Sequence, residues 1–331
     1  MKLAEICKNN WVIIYLIVLG LATRFIFIWW PNEVVFDEVH SGKIIVSYLT
    51  GKFSFFDIHP PLGKILVAFL FKITDSNLNF DFENIGENYG QTPYIILRFW
   101  PNFLGGLIPL AVFLLARQLN FSLFSAFLAG LFLVLDNALI VHSHFLMFDA
   151  FMLFFGFAGL AAFFYSRNRS YNLTWLIIAG VLLGSAISSK WTGLAFLAVA
   201  ILTFAFDYLS QLLKIKADLF SADKTIKIKF NFFLLKNYLS TQLLKGFLGL
   251  LIVPATVYIL VFAIHFMLIT KPGEANSFLS PDFQTKSFWG KFIELNLTMY
   301  KANASINSPH PYTSKPWQWP IMSKSIYYWN K

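Results

Sequence analysis

The sequence has little cysteine and little charge, and each shortage excludes a class of protein. Its 331 residues include one cysteine, Cys7, so a fold held together by internal disulfides is excluded. Charged residues make up 13% of the chain, against 57% hydrophobic and 19% aromatic residues. The apolar residues form long uninterrupted runs, which excludes the two soluble domains that the length alone would suggest.

Loops of the kind that bind nucleotide phosphates are also missing. The pairs Gly51-Lys52 and Gly63-Lys64 lack the other residues of a P-loop. The formal net charge of +9 does not indicate a nucleic acid partner, because the lysines lie in loops between apolar runs, where basic residues set orientation and contact anionic lipid. We therefore expect membrane lipid, and no nucleic acid, as a partner.

The chain is instead rich in apolar runs of bilayer length. A helix needs about 20 apolar residues to cross the hydrocarbon core. The runs that we interpret as spans are 11–30, 94–116, 122–141, 147–165, 173–189, 191–206 and 247–270. Lys2 and Lys8 precede the first run, which is long for a signal peptide and has no cleavage site after it, so we predict a retained span with a cytoplasmic N-terminus. The sequence thus predicts an all-α polytopic membrane protein with about seven spans.

The segment 62–73 determines on which side every later loop lies. It is apolar but too short to span and contains two lysines, which predicts an interfacial or re-entrant helix. Arg117, Arg167 and Arg169 then fall in short cytoplasmic loops, whereas Lys190 lies in an outer loop. This arrangement agrees with the positive-inside rule, and the opposite one does not.

This topology divides the chain into parts with different surroundings. The parts are a transmembrane module (1–270), which includes a large outer loop (31–92) and a cytoplasmic loop (207–246), and an outer tail (271–331). Within the outer loop we predict an interfacial helix over 34–49 that is ended by Gly51, and a polar loop over 75–92 with no packing signal.

Ionisable residues from separate segments meet at the outer face in this topology, and such residues beside a membrane indicate a functional site. They are Asp37, Glu38, His40, His59, Lys64, Arg98, His142, His144, Asp149 and Lys190. On a helix, Asp37, His40 and Ser41 share one face, whereas Glu38 points about 100° away. Asp37 could therefore deprotonate a hydroxyl as a general base, or it could cap a helix or pair with a lysine.

Three cations in these segments could bind phosphate. The corner His59-Pro60-Pro61 is rigid and starts the short helix, which places Lys64 in its first turn, against the helix dipole. A bound anion would explain this position, as would snorkelling of the side chain to water. Arg98 could hold a phosphate in bidentate fashion or anchor its span at the interface, and Lys190 lies in a tight turn between two spans.

A metal site is the weakest of the chemical interpretations. Asp149 opens the predicted fourth span and follows His142 and His144 closely. These side chains suit zinc, but nothing in the sequence directs them to one point. Helix capping is the favoured account of Asp149, so we predict neither a metal nor another cofactor.

Several of these residues form blocks that resemble the protein O-mannosyltransferases. The residues FDEVHSGK (36–43), GKF (51–53) and FDIHPPLGK (56–64) match the first outer loop of that family in order and spacing. The pair 97–98 followed by Gly105, and the segments 135–137 and 189–194, also resemble the family, and the tail 310–320 resembles its bacterial branch.

The resemblance implies a polytopic fold of the C-type glycosyltransferase superfamily. It implies transfer of mannose, with inversion, from a polyprenyl-phosphate-mannose donor to Ser or Thr hydroxyls of exported proteins, at the outer face of the cytoplasmic membrane and without metal or nucleotide. Asp37 and Glu38 match the acidic pair of the family, with Asp37 as the expected base. The expected donor-phosphate contacts are Arg98, Lys64 and Lys190, and the expected substrate-binding residues are His40, His59, Asp149 and His144.

Three features depart from the family pattern. Ser143-His144 stands where members often have Ser-Arg, which would make a donor-holding cation weaker or dependent on pH. The carbohydrate-binding repeats of eukaryotic members are absent. The chain ends at Lys331, before the further spans of the family, so we expect 271–331 to be the start of a C-terminal region.

Other functions are compatible with the same architecture. A related enzyme could transfer the sugar to a lipid or to a cell-wall glycan, although the HPPLGK block favours a protein acceptor. A transporter of polyprenyl sugars would place charges near the bilayer midplane and contain paired broken helices. A non-catalytic partner subunit is a further alternative.

Overall fold

The computed structural model describes residues 3–221, 239–306 and 313–318, together with positions 321 and 323. Across these residues the secondary structure is helical, with isolated β-bridges. The α-helices, in chain order, are α1 (Leu3–Phe25), α2 (Glu38–Thr50), α3 (Leu62–Ile73), α4 (Tyr94–Gln118), α5 (Leu123–Leu135), α6 (Asn137–His144), α7 (Asp149–Arg167), α8 (Leu173–Ser189), α9 (Leu194–Ser221), α10 (Leu239–Leu268) and α11 (Phe288–Ala304).

The helices that can cross a bilayer are fewer than the apolar helices. Among the described residues, four are long and apolar enough by themselves: α4, α7, the segment Trp191–Lys214 that contains most of α9, and α10. The pair α5 and α6 adds a fifth if it is one broken span. The apolar part of α1, Trp11–Phe25, and the helix α8 lie at predicted spans but are shorter. The chain is a multi-pass membrane protein, and the count of seven spans stays a prediction.

The predicted span 122–141 is broken in the middle. Its two halves, α5 and α6, are bent by 53°. Asp136 stands at the break in an extended conformation, and its carboxylate accepts a hydrogen bond from the first turn of α6 (2.8 Å). Buried Arg24 donates to the carbonyl oxygens of Leu133 and Val134 at the open end of α5. The predicted span is thus divided into two helices, because Asp136 caps a new helix.

Helical structure extends into both ends of the predicted cytoplasmic loop 207–246. Helix α9 continues to Ser221 and α10 begins at Leu239, because apolar side chains continue the helical pattern at both ends of the predicted loop. Residues 222–238 lie outside the described residues, as does most of the tail segment 310–320.

The predicted outer loop 31–92 folds into two helices that pack on a shared core. Helix α2 ends at Gly51, whose φ of +71° suits glycine, and α3 has the bounds that the sequence predicts. Residues 75–92 are not the unpacked loop of the prediction, because Phe82 and Tyr89 are buried, with 0% and 2% of their surface exposed. A Cβ at Gly42 of α2 would lie 2.2 Å from the Phe82 ring, so the absence of a side chain lets this loop close onto α2.

Helix α11 occupies much of the predicted outer tail. It runs antiparallel to the last turns of α10: Phe292 lies 5.2 Å from Phe262, and the Tyr258 hydroxyl donates to the side-chain oxygen of Asn296 (2.5 Å). Asn303 near its other end donates to a carbonyl of the loop between α2 and α3. The tail segment thus contacts both α10 and the loop between α2 and α3.

Candidate active site

A pocket of 260 Å³ opens between the outer loop and the ends of α7 and α8. It is lined by Asp37, His40, Ser41, Phe55, Phe56, Asp57, Ile58, His59, Met147, Phe148, Asp149 and Lys190. Four separate segments therefore supply its walls. Of the residues predicted from the sequence, the structure brings five together here: Asp37, His40, His59, Asp149 and Lys190.

Asp37 is exposed at the start of α2, and its carboxylate caps no backbone N–H of that helix. Desolvation by the pocket walls raises the pKa of Asp37, and the neighbouring Asp149 and Asp57 raise it further against the opposing effect of His40 and Lys190. A carboxylate with a raised pKa and no internal bond to the helix is suited to accept a proton from a bound hydroxyl.

The backbone before Asp37 is strained. Phe36 has a φ of +43°, a left-handed conformation that aromatic residues rarely adopt. One turn further, His40 stacks on Phe55 at 5.5 Å between ring centroids. These two features set the direction in which α2 presents Asp37 and His40 to the pocket.

Lys190 and Asp149 form the opposite wall as an ion pair. The Lys190 ammonium donates to both carboxylate oxygens of Asp149, at 2.9 and 3.1 Å. Lys190 is extended between the end of α8 and a turn of 3-10 helix, while Asp149 lies in the first turn of α7. His142 Nδ1 lies 3.9 Å from Asp149. Both members of the pair remain partly exposed, so the ammonium is within reach of an anion in the pocket.

Glu38 and Arg98 lie outside the pocket, buried in the core. Both side chains have 0% of their surface exposed and are joined by two hydrogen bonds of 2.9 Å. Glu38 also accepts from the N–H groups of Val35 and Leu146 and from the Tyr89 hydroxyl. This pair ties α2, α4 and the segment before α7 together.

Lys64 also lies behind the pocket wall. Its ammonium forms an ion pair with Asp57 at 2.5 Å and donates to the backbone oxygen of His59 at 2.6 Å. With 1% of its surface exposed, Lys64 lines a separate cavity of 20 Å³. Burial alone would raise the pKa of Asp57, but Lys64 outweighs it and holds that pKa below its usual value.

His144 is held by backbone at the end of α6. Its two ring nitrogens lie 2.8 Å from the carbonyl oxygens of Ile140 and Ile26, and the ring is not part of the pocket wall. Within the part of the chain that the structure describes, no group of three His, Cys, Asp or Glu side chains has the arrangement of a metal site.

Sequence reasoning missed several functional positions. Asp57 lines the pocket and forms an ion pair with Lys64. It stands inside the block FDIHPPLGK, which resembles the protein O-mannosyltransferases, and this position could have indicated it. Phe55 and Phe148 line the pocket as aromatic walls. Only their place beside predicted polar residues could have indicated them, because aromatic residues are common throughout this chain.

Comparison with known proteins identifies the family. The profile described as "Dolichyl-phosphate-mannose-protein mannosyltransferase" matches residues 14–270, and the "C-terminal four TMM region of protein-O-mannosyltransferase" matches 288–331. Dolichyl-phosphate-mannose--protein mannosyltransferase 1 of Saccharomyces cerevisiae is 32% identical over 77% of this chain and 30% of its own length. Protein O-mannosyltransferase 1 of Drosophila melanogaster is 34% identical over 81% of this chain and 29% of its own length.

Solved structures agree. The S. cerevisiae protein O-mannosyltransferase Pmt1-Pmt2 complex bound to the sugar donor matches with a TM-score of 0.70 and 29% identity, over 84% of this chain and 36% of that one. An Archaeoglobus fulgidus oligosaccharyltransferase, at 18% identity and a TM-score of 0.50 over 88% of this chain and 35% of that one, shares the fold. The chain spans about a third of the length of the relatives it matches. By the match over residues 14–270, this chain belongs to the protein O-mannosyltransferase family.

Proposed function

We propose that this chain transfers mannose from a polyprenyl-phosphate-mannose donor to Ser or Thr hydroxyls of proteins, in the pocket between Asp37 and Lys190. The observation that carries the proposal is the convergence of a carboxylate and an ammonium on one cavity of 260 Å³. Membership of the family supports the sugar, the lipid-linked donor and the protein acceptor.

The reaction needs a base and a site for negative charge. The Asp37 carboxylate accepts the proton of the acceptor hydroxyl while the hydroxyl oxygen bonds to the anomeric carbon of mannose. The bond from that carbon to the phosphate oxygen breaks, and the electron pair leaves with the phosphate. Attack from the face opposite the phosphate inverts the configuration at the anomeric carbon.

Lys190 stabilises the leaving phosphate, which gains one negative charge in the step. An arriving phosphate competes with Asp149 for the ammonium, so Asp149 holds Lys190 in place until the donor binds. The other walls, His40, His59 and the aromatic side chains Phe55 and Phe148, contact the sugar and the acceptor. The role of the buried residues is structural: Glu38, Arg98 and Lys64 hold in place the segments that line the pocket.

The experiment uses the purified chain in proteoliposomes with radiolabelled polyprenyl-phosphate-mannose and a Ser/Thr-rich peptide. Label should enter the peptide, and a matched peptide with alanine at every Ser and Thr should stay unlabelled. Transfer to a lipid or glycan acceptor alone would favour the alternative acceptor class. Movement of donor across the membrane without any transfer would identify a transporter.

We propose that the pocket faces outward across the cytoplasmic membrane. Cys7 is the only cysteine, so a Cys7→Ser background allows single labelling sites. Asp81→Cys in the outer loop should react with an impermeant maleimide added to intact cells, whereas Asn168→Cys at the end of α7 should react only after lysis. Both positions are exposed, and the reverse pattern would invert the topology.

A further inference from the structure

The loop between α2 and α3 holds the backbone of one residue, His59, by both its N–H and its carbonyl oxygen. The Asp57 carboxylate accepts a hydrogen bond from the backbone N–H of His59 (2.9 Å), and the Lys64 ammonium donates to the backbone oxygen of the same residue (2.6 Å). Asp57 and Lys64 are themselves paired at 2.5 Å. The backbone of His59 is therefore bonded on both sides by a single ion pair.

The desolvation cost of the buried Asp57–Lys64 ion pair indicates that the position of the His59 backbone matters. Lys64 is 1% exposed, and the Asp57 side chain is 16% exposed. Removing an ion pair from water carries a desolvation penalty that its own attraction often fails to recover, so a well-packed apolar pair would serve stability as well. An apolar pair could not, however, form hydrogen bonds to the His59 backbone.

His59 lines the same pocket as Asp37. Burial lowers the pKa of His59 to about 4; Asp57 and Asp149 raise it, while Lys64 and Lys190 lower it. These four groups lie in the loop, α3, α7 and the turn after α8, and Asp37 and His40 of α2 line the same pocket. A neutral imidazole offers one donor and one acceptor, which matches a sugar hydroxyl.

Resting on the proposed function, we propose that Asp57 and Lys64 are positioning residues that fix the His59 backbone, so that the His59 imidazole binds substrate hydroxyl groups. This assignment gives Lys64 a role other than direct contact with the donor phosphate. It also explains why the lysine lies in the first turn of α3, where the helix dipole disfavours a cation.

The test compares removal of this ion pair with removal of another one. Asp57→Leu/Lys64→Met removes both bonds to His59 without leaving an unpaired buried charge. Asp207→Leu/Arg167→Met is the matched control, because it removes an ion pair at the end of α7 that is far from the pocket. The double variant should lose about 10- to 100-fold in kcat/KM, since small displacements of a binding group are costly. The control should stay within about threefold of the native chain.

A His59→Ala background separates positioning from other roles. If Asp57 and Lys64 act through His59, adding the two substitutions to His59→Ala should lower kcat/KM by less than about a further threefold. If the loss in kcat/KM from the double variant and the loss from His59→Ala multiply, the proposal is overturned. If the double substitution still raises the KM for the donor in the His59→Ala background, Lys64 acts by binding the donor phosphate instead.

A second measurement does not depend on transfer. In the chain labelled with 13C at histidine, the His59 ring should stay neutral down to about pH 5 in the native protein and in Asp207→Leu/Arg167→Met. In Asp57→Leu/Lys64→Met the ring is no longer held in place and becomes hydrated, so its pKa should rise toward the ordinary value of about 6.5. Loss of the Asp57 charge without displacement of the ring would lower this pKa instead. An unchanged titration would refute the positioning role. A chain with no mannosyl transfer but with this titration pattern would disprove only the proposed function.

Discussion

Asp37 and Glu38 are consecutive residues whose carboxylates lie in opposite surroundings. Asp37 is exposed to the pocket, whereas Glu38 has 0% of its surface exposed and is bonded to Arg98. Since neighbours on a helix point about 100° apart, the start of α2 directs one acid to the pocket and the other to the core. The two acids of the pair are thus suited to different tasks.

Replacing the base should abolish transfer without unfolding the chain. We expect Asp37→Asn to lose about 10²- to 10⁴-fold in kcat, the usual contribution of general base catalysis. The folded state should persist, because the Asp37 side chain makes no capping bond and is exposed. Asp81→Asn, which changes an exposed acid of the same outer loop, is the control and should transfer mannose normally. Full transfer by Asp37→Asn in proteoliposomes would disprove the assignment.

The pH profile should show a base with a raised pKa. Asp37 must be ionised to accept a proton, so activity should be present above its pKa and lost as the pH falls through it. Because desolvation raises that pKa above the ordinary aspartate value of 3.8, the acid limb of kcat/KM should lie above pH 3.8. The limb should disappear from the residual activity of Asp37→Asn. A limb unchanged in that variant would belong to another group.

Breaking the buried Glu38–Arg98 pair should destabilise the fold. Glu38→Gln or Arg98→Met leaves one buried charge without its partner, which costs about 3–5 kcal/mol in free energy of unfolding. Thermal unfolding in detergent would measure the loss. The double variant Glu38→Gln/Arg98→Met should be more stable than the sum of the single losses predicts. Native stability in either single variant would argue against a structural role.

Lys190 should matter for the transition state more than for the fold. Lys190→Met removes the charge that stabilises the leaving phosphate, and we expect a loss of about 10²-fold or more in kcat. Lys190→Arg keeps the charge and should retain more activity, although its shape differs. Steady-state kinetics with varied donor would separate kcat from KM. Equal losses in the two variants would show that the charge itself is not what the site needs.

Much of the architecture follows from the sequence alone. The length and polarity of a segment predict whether it crosses the bilayer, so the positions of the apolar helices and the bounds of α3 could be predicted. The break at Asp136 and the packed aromatic residues of 75–92 could not, because each depends on contacts with distant segments.

The candidate site divides in the same way. The sequence by itself determined which residue types could hold phosphate or accept a proton, because that chemistry belongs to the side chain. Only the tertiary structure decided which of them meet. It brings Asp37, Lys190 and Asp149 to one pocket and turns Glu38, Arg98 and Lys64 into the core. The reason is that burial and pairing depend on how helices far apart in the chain pack, which local sequence patterns do not specify.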